Sequence, residues 1–328
     1  PVFERARDEL RRVVYAEGEE ERVLEVAQQA VDQGIAQPVL IGRREVIDRR
    51  MGSLGLRMKE GADFELLDPL DNPRFESYAE ILFDRVQRRG YSPKEARNKL
   101  RQNHTVLASV VVASGDADAM ICGTVGRYRN HLDYVREIIG TENGIKKLTS
   151  MNALVLQSGT LFMADTYVQE DPSAEDLAEI VSLCAEEVLW FGIEPKVAMV
   201  SHSNFGSHDS SSAIKVREAL AMVRERMPDL EIEGEMHADL ALSERLRVVR
   251  FPKSRLTNRA NLLIMPNQDA ANVAFNMLKV LGDGIAIGPI LIGSAKSAHV
   301  VTPSISVRGL LNMTALASVR ASCSMKRD

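Results

Sequence analysis

Lys296, Thr302, Ser304, Ser306 and Arg308 fall in one stretch, GPILIGSAKSAHVVTPSISVRGLLN (288–312), where Lys296 and Arg308 bracket the hydroxyls of the other three. Such a set suits a phosphorylated ligand, with charge from Lys and Arg and hydrogen bonds from the hydroxyls. Gly288-Pro289 signals a turn. Ile290, Leu291 and Ile292, bounded by glycines, read as a fully buried parallel strand, with Lys296 just past its carboxyl end. Pro303 fixes one φ angle, and Gly309 stands near the start of an apolar helix containing Leu310, Leu311, Met313 and Leu316. Open α/β sheets hold anions at strand carboxyl ends and helix amino ends, where backbone N–H groups lack partners. Taken alone, the stretch also fits a solvated connection with one surface lysine.

A second hydroxyl-rich loop, SHSNFGSHDSSS (201–212), runs from a strand at 196–201 into a helix at 213–226. Ser201, Ser203, Asn204, Gly206 and Ser207 there make a candidate phosphate cradle. His202 or His208 reads as a general base or as a purely positioning residue, and the lack of a Ser-His-Asp spacing favours positioning. A third candidate follows the strand at 118–122, where Gly123-Thr-Val-Gly126 leads into Arg127-Tyr-Arg-Asn-His131. Its Arg127 reads either as a phosphate contact or as part of a solvated basic face on a tight turn. The acidic run Glu17-Gly-Glu-Glu-Glu21 reads as exposed glutamates complementing a helix dipole. Glu235, His237 and Asp239 read as a hydrogen-bonded turn rather than a metal site, and no metal ligands are assigned.

The elements that carry these loops alternate. A strand at 11–16 precedes a helix with apolar Val23, Leu24, Val26, Ala27, Ala30 and Val31, which Gly34 ends, and a strand at 38–41 closes a β-α-β unit. Further strands are expected at 64–67, 118–122, 231–234 and 261–265, with helices at 75–89, 94–102, 106–113, 132–139, 174–191 and 270–281. Met151 to Gln157 and Thr160 to Asp165 read as a hairpin joined by Ser158-Gly159. The fold class is α/β.

At 328 residues, with 45% hydrophobic and 27% charged content, the chain is sized for about two globular domains. A net charge of −5 argues against general nucleic-acid binding. The cysteines, Cys122, Cys184 and Cys323, have no C-x-x-C spacing, which speaks against a disulfide framework or zinc site and suits a reducing, cytoplasmic compartment. No apolar run is long enough to span a bilayer, so no membrane partner is expected. The start at Pro1, without methionine, suggests a processed protein or a piece of a longer polypeptide.

SHSNFGS (201–207), DLEIEGEMHADLAL (229–242), ANLLIMPNQDAANVAFNMLKVLGDG (260–284) and GPILIGSAK (288–296) together resemble the phosphate acetyltransferase family over nearly the whole chain. VVYAEGEEERVL (13–24), DAMICGTVGRY (118–128) and TPSISVRGLLNMTALA (302–317) further resemble the phosphotransacetylase-like carboxyl-terminal domain of bacterial multimodular NADP-dependent malic enzymes. The resemblance implies two three-layer α/β domains with a cleft between them, phosphotransacetylase- or isocitrate/isopropylmalate dehydrogenase-like. One would be 1–147 plus 296–328, the other 148–295, the latter serving for dimerisation and as a cleft wall.

Active relatives carry a Ser-Arg-Gly turn after Gly-x-Ala-Lys and, a few residues on, an aspartate proposed to deprotonate coenzyme A. Here the Ser-Arg pair falls on Thr302-Pro303 and the aspartate on or beside Arg308-Gly309. An arginine before Leu-Gly-Gly is replaced by Val280, with Lys279 adjacent, and the Thr-x-Arg arginine falls near Asp133, leaving Arg127, Arg129 and Arg136 as substitutes. A thiol of pKa about 8.5 needs a base, so acetyl-phosphate synthesis is expected to be weak or absent and no catalytic residue is assigned. The resemblance implies a regulatory domain that binds acetyl-CoA as an allosteric inhibitor. It also implies a malic-enzyme region in the same chain, using NADP and Mg or Mn, and a homodimer of this domain within a homohexamer. This domain itself is expected to hold no cofactor. The alternative is a working phosphate acetyltransferase in which His299 or Asp269 replaces the base.

Overall fold

The computed structural model describes residues 2–324; Pro1, on which the expectation of a longer parent polypeptide rests, and residues 325–328 lie outside the described residues. The strands are β1 (Arg12–Tyr15), β2 (Gln37–Ile41), β3 (Glu65–Leu67), β4 (Ala119–Cys122), β5 (Thr149–Leu156), β6 (Gly159–Ala164), β7 (Lys196–Val200), β8 (Glu231–Met236), β9 (Leu262–Ile264), β10 (Ile285–Ile292) and β11 (Ser297–Val300). They form two sheets, one in each of two compact units. The described residues of Pro1–Lys146 and Ser294–Asp328 make the first unit, and Lys147–Gly293 the second.

In the first unit the strand order is β11-β4-β1-β2-β3, all parallel. The helix Glu21–Gln33 makes the crossover from β1 to β2 because Val23, Leu24, Val26, Ala27 and Ala30 bury one face against the sheet. Glu20 caps its start, and Gly34 at φ 63° ends it in a left-handed conformation. Strands β2 and β3 lie to one side of β1 and β4 and β11 to the other, so the order reverses at β1/β4, where such sheets open a crevice at their carboxyl ends. The helix Val307–Ser324 returns over this sheet with Leu310, Met313 and Ala317 buried, and its Thr314 Oγ1 stands 2.8 Å from the Tyr15 hydroxyl.

The second sheet runs β10-β5-β6-β9-β7-β8. β6, β9, β7 and β8 are parallel, while β5 pairs antiparallel with both β6 and β10. Its core joins Met163, Ala198, Met236, Leu263 and Phe275, the last reaching in from the helix Gln268–Leu281.

Four expectations need correction. Ile290 to Ile292 belong to β10, an antiparallel edge strand with Leu291 opposite Ser150, because a short apolar run between glycines encodes burial but not direction. The stretch after Lys296 is not simply a connection: Ser297–Val300 is β11, whose Ser and His hid a fully buried strand. The hairpin pairs Leu156 with Gly159, so Gln157-Ser158 is its two-residue loop. Helices at Val2–Asp8, Arg44–Leu54 and Glu244–Arg250 were not anticipated; Arg44–Leu54 buries only Val46, Ile47 and Met51 amid charge, a weak periodic signal.

Candidate functional site

At the switch point of the first unit, the chain leaves β1 through Glu17 and β4 through Gly123 and Thr124. The Glu17 carboxylate accepts from the Gly123 amide at 3.1 Å and from the Thr124 hydroxyl at 3.2 Å. Burial pushes its pKa up to about 7, against the lowering effect of those donors. Gly123, at φ 100°, is held so closely that a Cβ would overlap the Val301 carbonyl. His131 closes the back of the turn. Its Nε2 lies 2.8 Å from the Val125 carbonyl, which can only accept, so Nε2 carries the proton and Nδ1 accepts from the Thr105 hydroxyl at 2.7 Å. Burial lowers the His131 pKa. The acidic run is thus not a row of exposed glutamates: Glu17, Glu19 and Glu20 are largely covered, Glu20 caps the helix, and Glu21 alone is exposed in its first turn.

The loop after β11 lies beside this turn. The Val301 amide donates to the Cys122 carbonyl at 2.7 Å, Thr302 and Ser304 hydroxyls are 3.2 Å apart, and the Ser306 hydroxyl accepts from the Gly309 amide at the head of the final helix. Thr302, Ser304, Ser306 and Arg308 are therefore gathered at the carboxyl end of β11, next to the turn that leads to Arg127. Lys296 is not with them. It precedes β11, and strand rise places it roughly 16 Å from Val301, at the amino end of that strand.

In the second unit, Ser201, Ser203, Asn204, Gly206 and Ser207 come together after β7. The Asn204 amide donates to the Ser207 hydroxyl at 2.9 Å, and the Ser203 amide to the Ser201 hydroxyl at 3.2 Å. A carboxylate of the chain already sits in this cradle. Glu235, fully buried at the end of β8, accepts from the Ser203 hydroxyl at 2.7 Å, the Gly206 amide at 2.9 Å and Arg217 Nη1 at 3.0 Å. Glu235 is thus in the strand and bound to the loop; His237 Nε2 donates to the His202 carbonyl at 2.7 Å, and Asp239 accepts from the Leu240 amide. Among the described residues, no group of three or more His, Cys, Asp or Glu is placed to hold a metal ion.

Lys279 lies in the last turn of the helix Gln268–Leu281, whose outer face exposes Val273, Met277, Val280 and Leu281. Asp133 draws Arg136 to 3.3 Å and Arg129 to 3.9 Å, so both arginines are partly spent on it. Arg127 and Arg308 are exposed, and neither side chain has a hydrogen bond or ion pair among the described residues.

A phosphate acetyl/butaryl transferase profile matches residues 1–318. The chain belongs to that family. This phosphate acetyl/butaryl transferase family member is 49% identical to the NADP-dependent malic enzyme of Salmonella typhimurium over 98% of its own length, and spans 42% of that protein, in its carboxyl-terminal part. It is 30% identical to the phosphate acetyltransferase of Acetivibrio thermocellus, covering 98% of this chain and 97% of that one. A phosphotransacetylase structure from Streptococcus pyogenes superposes with a TM-score of 0.88 at 26% identity, over 99% of this chain and 98% of the other. The chain therefore spans less than half the length of the malic enzyme and nearly all of the acetyltransferase.

Of the two residues expected to replace a transferase's base, His299 fails on geometry. His299 is central in β11 and fully buried, and burial first, then the Arg320 charge, lowers its pKa to about 3. A buried imidazole of that basicity has neither access to a thiol nor drive to take its proton. Asp269 is exposed in the first turn of its helix. Arg22, Glu17 and Arg217 escaped the motif reading. The signal for Glu17 was present, as a carboxylate followed by glycine at the end of an apolar strand.

Proposed function

We propose that this chain is the acetyl-CoA-sensing, non-catalytic part of a malic enzyme, inhibiting the catalytic region allosterically and supporting its oligomerisation. The observation that carries this is Arg308, exposed and uncommitted in the hydroxyl-bearing loop after β11, at a turn where the resemblance to active transferases implies Ser-Arg and a carboxylate in place of Thr302-Pro303 and Arg308-Gly309. On that resemblance a cation stands in place of a base, which favours holding a polyanion over turning it over. Similarity across 98% of the chain to malic enzymes supports the same assignment. NADP and Mg or Mn would belong to the malic-enzyme region, not to these residues.

Inhibition requires that acetyl-CoA bind one state of the whole protein better than another, since only differential affinity shifts an equilibrium. The apolar row Val273, Met277, Val280 and Leu281 is the surface on which a second copy of this domain would pack, within a hexameric parent.

Calorimetric titration of acetyl-CoA into the chain, with free coenzyme A as comparison, tests the assignment. Saturable binding that favours the acetylated form is expected; no heat at millimolar ligand would overturn it for the isolated chain. The 30% identity to a phosphate acetyltransferase over almost the full length favours one alternative, a working acetyltransferase. Phosphate- or arsenate-dependent release of coenzyme A from acetyl-CoA would establish that alternative, and a flat trace at high protein concentration would remove it.

A further inference from the structure

We infer that Arg22 is the positioning residue of the first unit's anion-binding loops, an inference that rests on the acetyl-CoA assignment for its ligand. Its guanidinium clasps the two loops that leave the neighbouring strands β4 and β11 beyond the last ladder bond. Nη1 donates to the Pro303 and Ile305 carbonyls, both at 2.8 Å, and Nη2 to the Thr124 carbonyl at 3.3 Å. One side chain thus joins the loop that carries Thr302, Ser304, Ser306 and Arg308 to the turn that leads to Arg127.

The clasp is itself oriented. Nε donates to Glu20 Oε1 at 2.8 Å, while Glu20 Oε2 accepts from the Val23 amide at 3.2 Å. The residue that caps the helix Glu21–Gln33 therefore aims the arginine, and the helix seats the clasp on β1. Pro303 and Ile305 lie between β11 and the final helix, so neither ladder nor helix bonds their carbonyls, and Arg22 supplies the missing donors. Four acceptors on three nitrogens of one side chain call for a fork of N–H groups, which guanidinium has and ammonium lacks. The exposed cations Arg127 and Arg308 then stand at a set spacing before any ligand arrives, which reduces the ordering cost of binding.

The test uses the whole chain with Arg22→Met and Arg22→Lys. Trypsin digestion followed by mass spectrometry reads the loops without any ligand. In both variants, cleavage after Arg127 and Arg308 is expected to accelerate about fivefold relative to other sites, because local opening becomes easier while the sheet stays folded. Calorimetry should show acetyl-CoA binding weakened about tenfold in both. Uniform acceleration at all sites, wild-type behaviour of Arg22→Lys, or unchanged acetyl-CoA affinity in Arg22→Met would overturn the clasp. If wild type binds no acetyl-CoA, the sensor assignment fails, and the cleavage pattern alone decides whether Arg22 holds the loops.

Discussion

The Glu17 carboxylate closes on the Gly123 amide, both oxygens standing 3.1 Å from that nitrogen, and so fills from within the chain the position where a ligand's oxygen would meet the turn after β4. Glu235 does the same to Gly206 in the second unit. In each unit a turn at a strand's carboxyl end is tied down by a carboxyl group of the chain itself. On the proposed function, ligand charge is left to the exposed arginines.

Glu17 gives a pH signature. Its pKa rises from 4.5 to about 7 on folding, so the folded state binds the extra proton between those values. The sign follows: this contribution to stability is full below 4.5 and is lost as pH rises through about 7. Its size is on the order of 3 kcal/mol. Glu17→Gln cannot titrate, so in urea unfolding its stability relative to wild type should climb between about pH 5 and pH 8. Parallel profiles for the two proteins would mean that Glu17 titrates normally; His131, Thr105 and Cys122 are the other groups around it.

His299 should act with the opposite sign. Its folded pKa of about 3 lies below the ordinary 6.5, so its contribution is present above 6.5 and is lost as pH falls toward 3. Between about pH 7 and pH 5 wild type should lose roughly 2 kcal/mol through this group, and His299→Asn should not. Coenzyme A release, if any is detected, should be unaffected by the substitution. An acid limb unchanged by His299→Asn would disprove the burial argument.

Glu235→Ala removes the acceptor shared by the Ser203 hydroxyl and the Gly206 amide and should cost about 1–3 kcal/mol, whereas Glu235→Gln keeps an oxygen in place and should cost less. The emptied donors should then take an inorganic anion. Sulfate should raise the unfolding midpoint of Glu235→Ala more than that of wild type, and equal shifts would show that Glu235 occupies no anion position.

The sequence made the alternation of strands and helices legible wherever burial is one-sided, as in Glu21–Gln33, whose apolar residues recur at helical spacing. β11 was hidden because its polar Ser297 and His299 are buried as deeply as its aliphatics, and periodicity assigns such residues to the surface. That error displaced Lys296, which hydroxyl-counting had placed beside Thr302. The loops after β4, β7 and β11 were legible from residue type and position. Glu17 and Glu235 as fillers of those loops were not, because each reaches its partner from a different strand: Glu17 meets Gly123 and Glu235 meets Gly206 only through parallel pairing.

The exposed row on the helix Gln268–Leu281 should govern association. Met277 and Val280 are 57% and 79% exposed, so Met277→Glu and Val280→Glu should leave the fold intact while placing charge in an apolar interface. Light scattering after size exclusion should find wild type dimeric and either variant shifted toward monomer, with the dissociation constant raised at least about tenfold. Unchanged mass across a dilution series would move the interface elsewhere.

Arg308 and Arg127 should carry the ligand's charge. Both are exposed with no intramolecular partner among the described residues, so removing either leaves no buried group stranded and should hardly change folding stability. Arg308→Glu replaces an attraction to a phosphate by a repulsion, and acetyl-CoA affinity should fall about tenfold or more, with a smaller loss for Ser304→Ala. Raising the ionic strength should weaken wild-type binding more than that of Arg308→Glu, because one fewer favourable charge contact remains to be screened. If the chain is part of a malic enzyme as proposed, the same substitution in that enzyme should raise the acetyl-CoA concentration needed for inhibition while leaving uninhibited turnover of malate unchanged. If inhibition persists at the wild-type concentration, the exposed arginine is surface charge only, and acetyl-CoA does not act through the loop after β11.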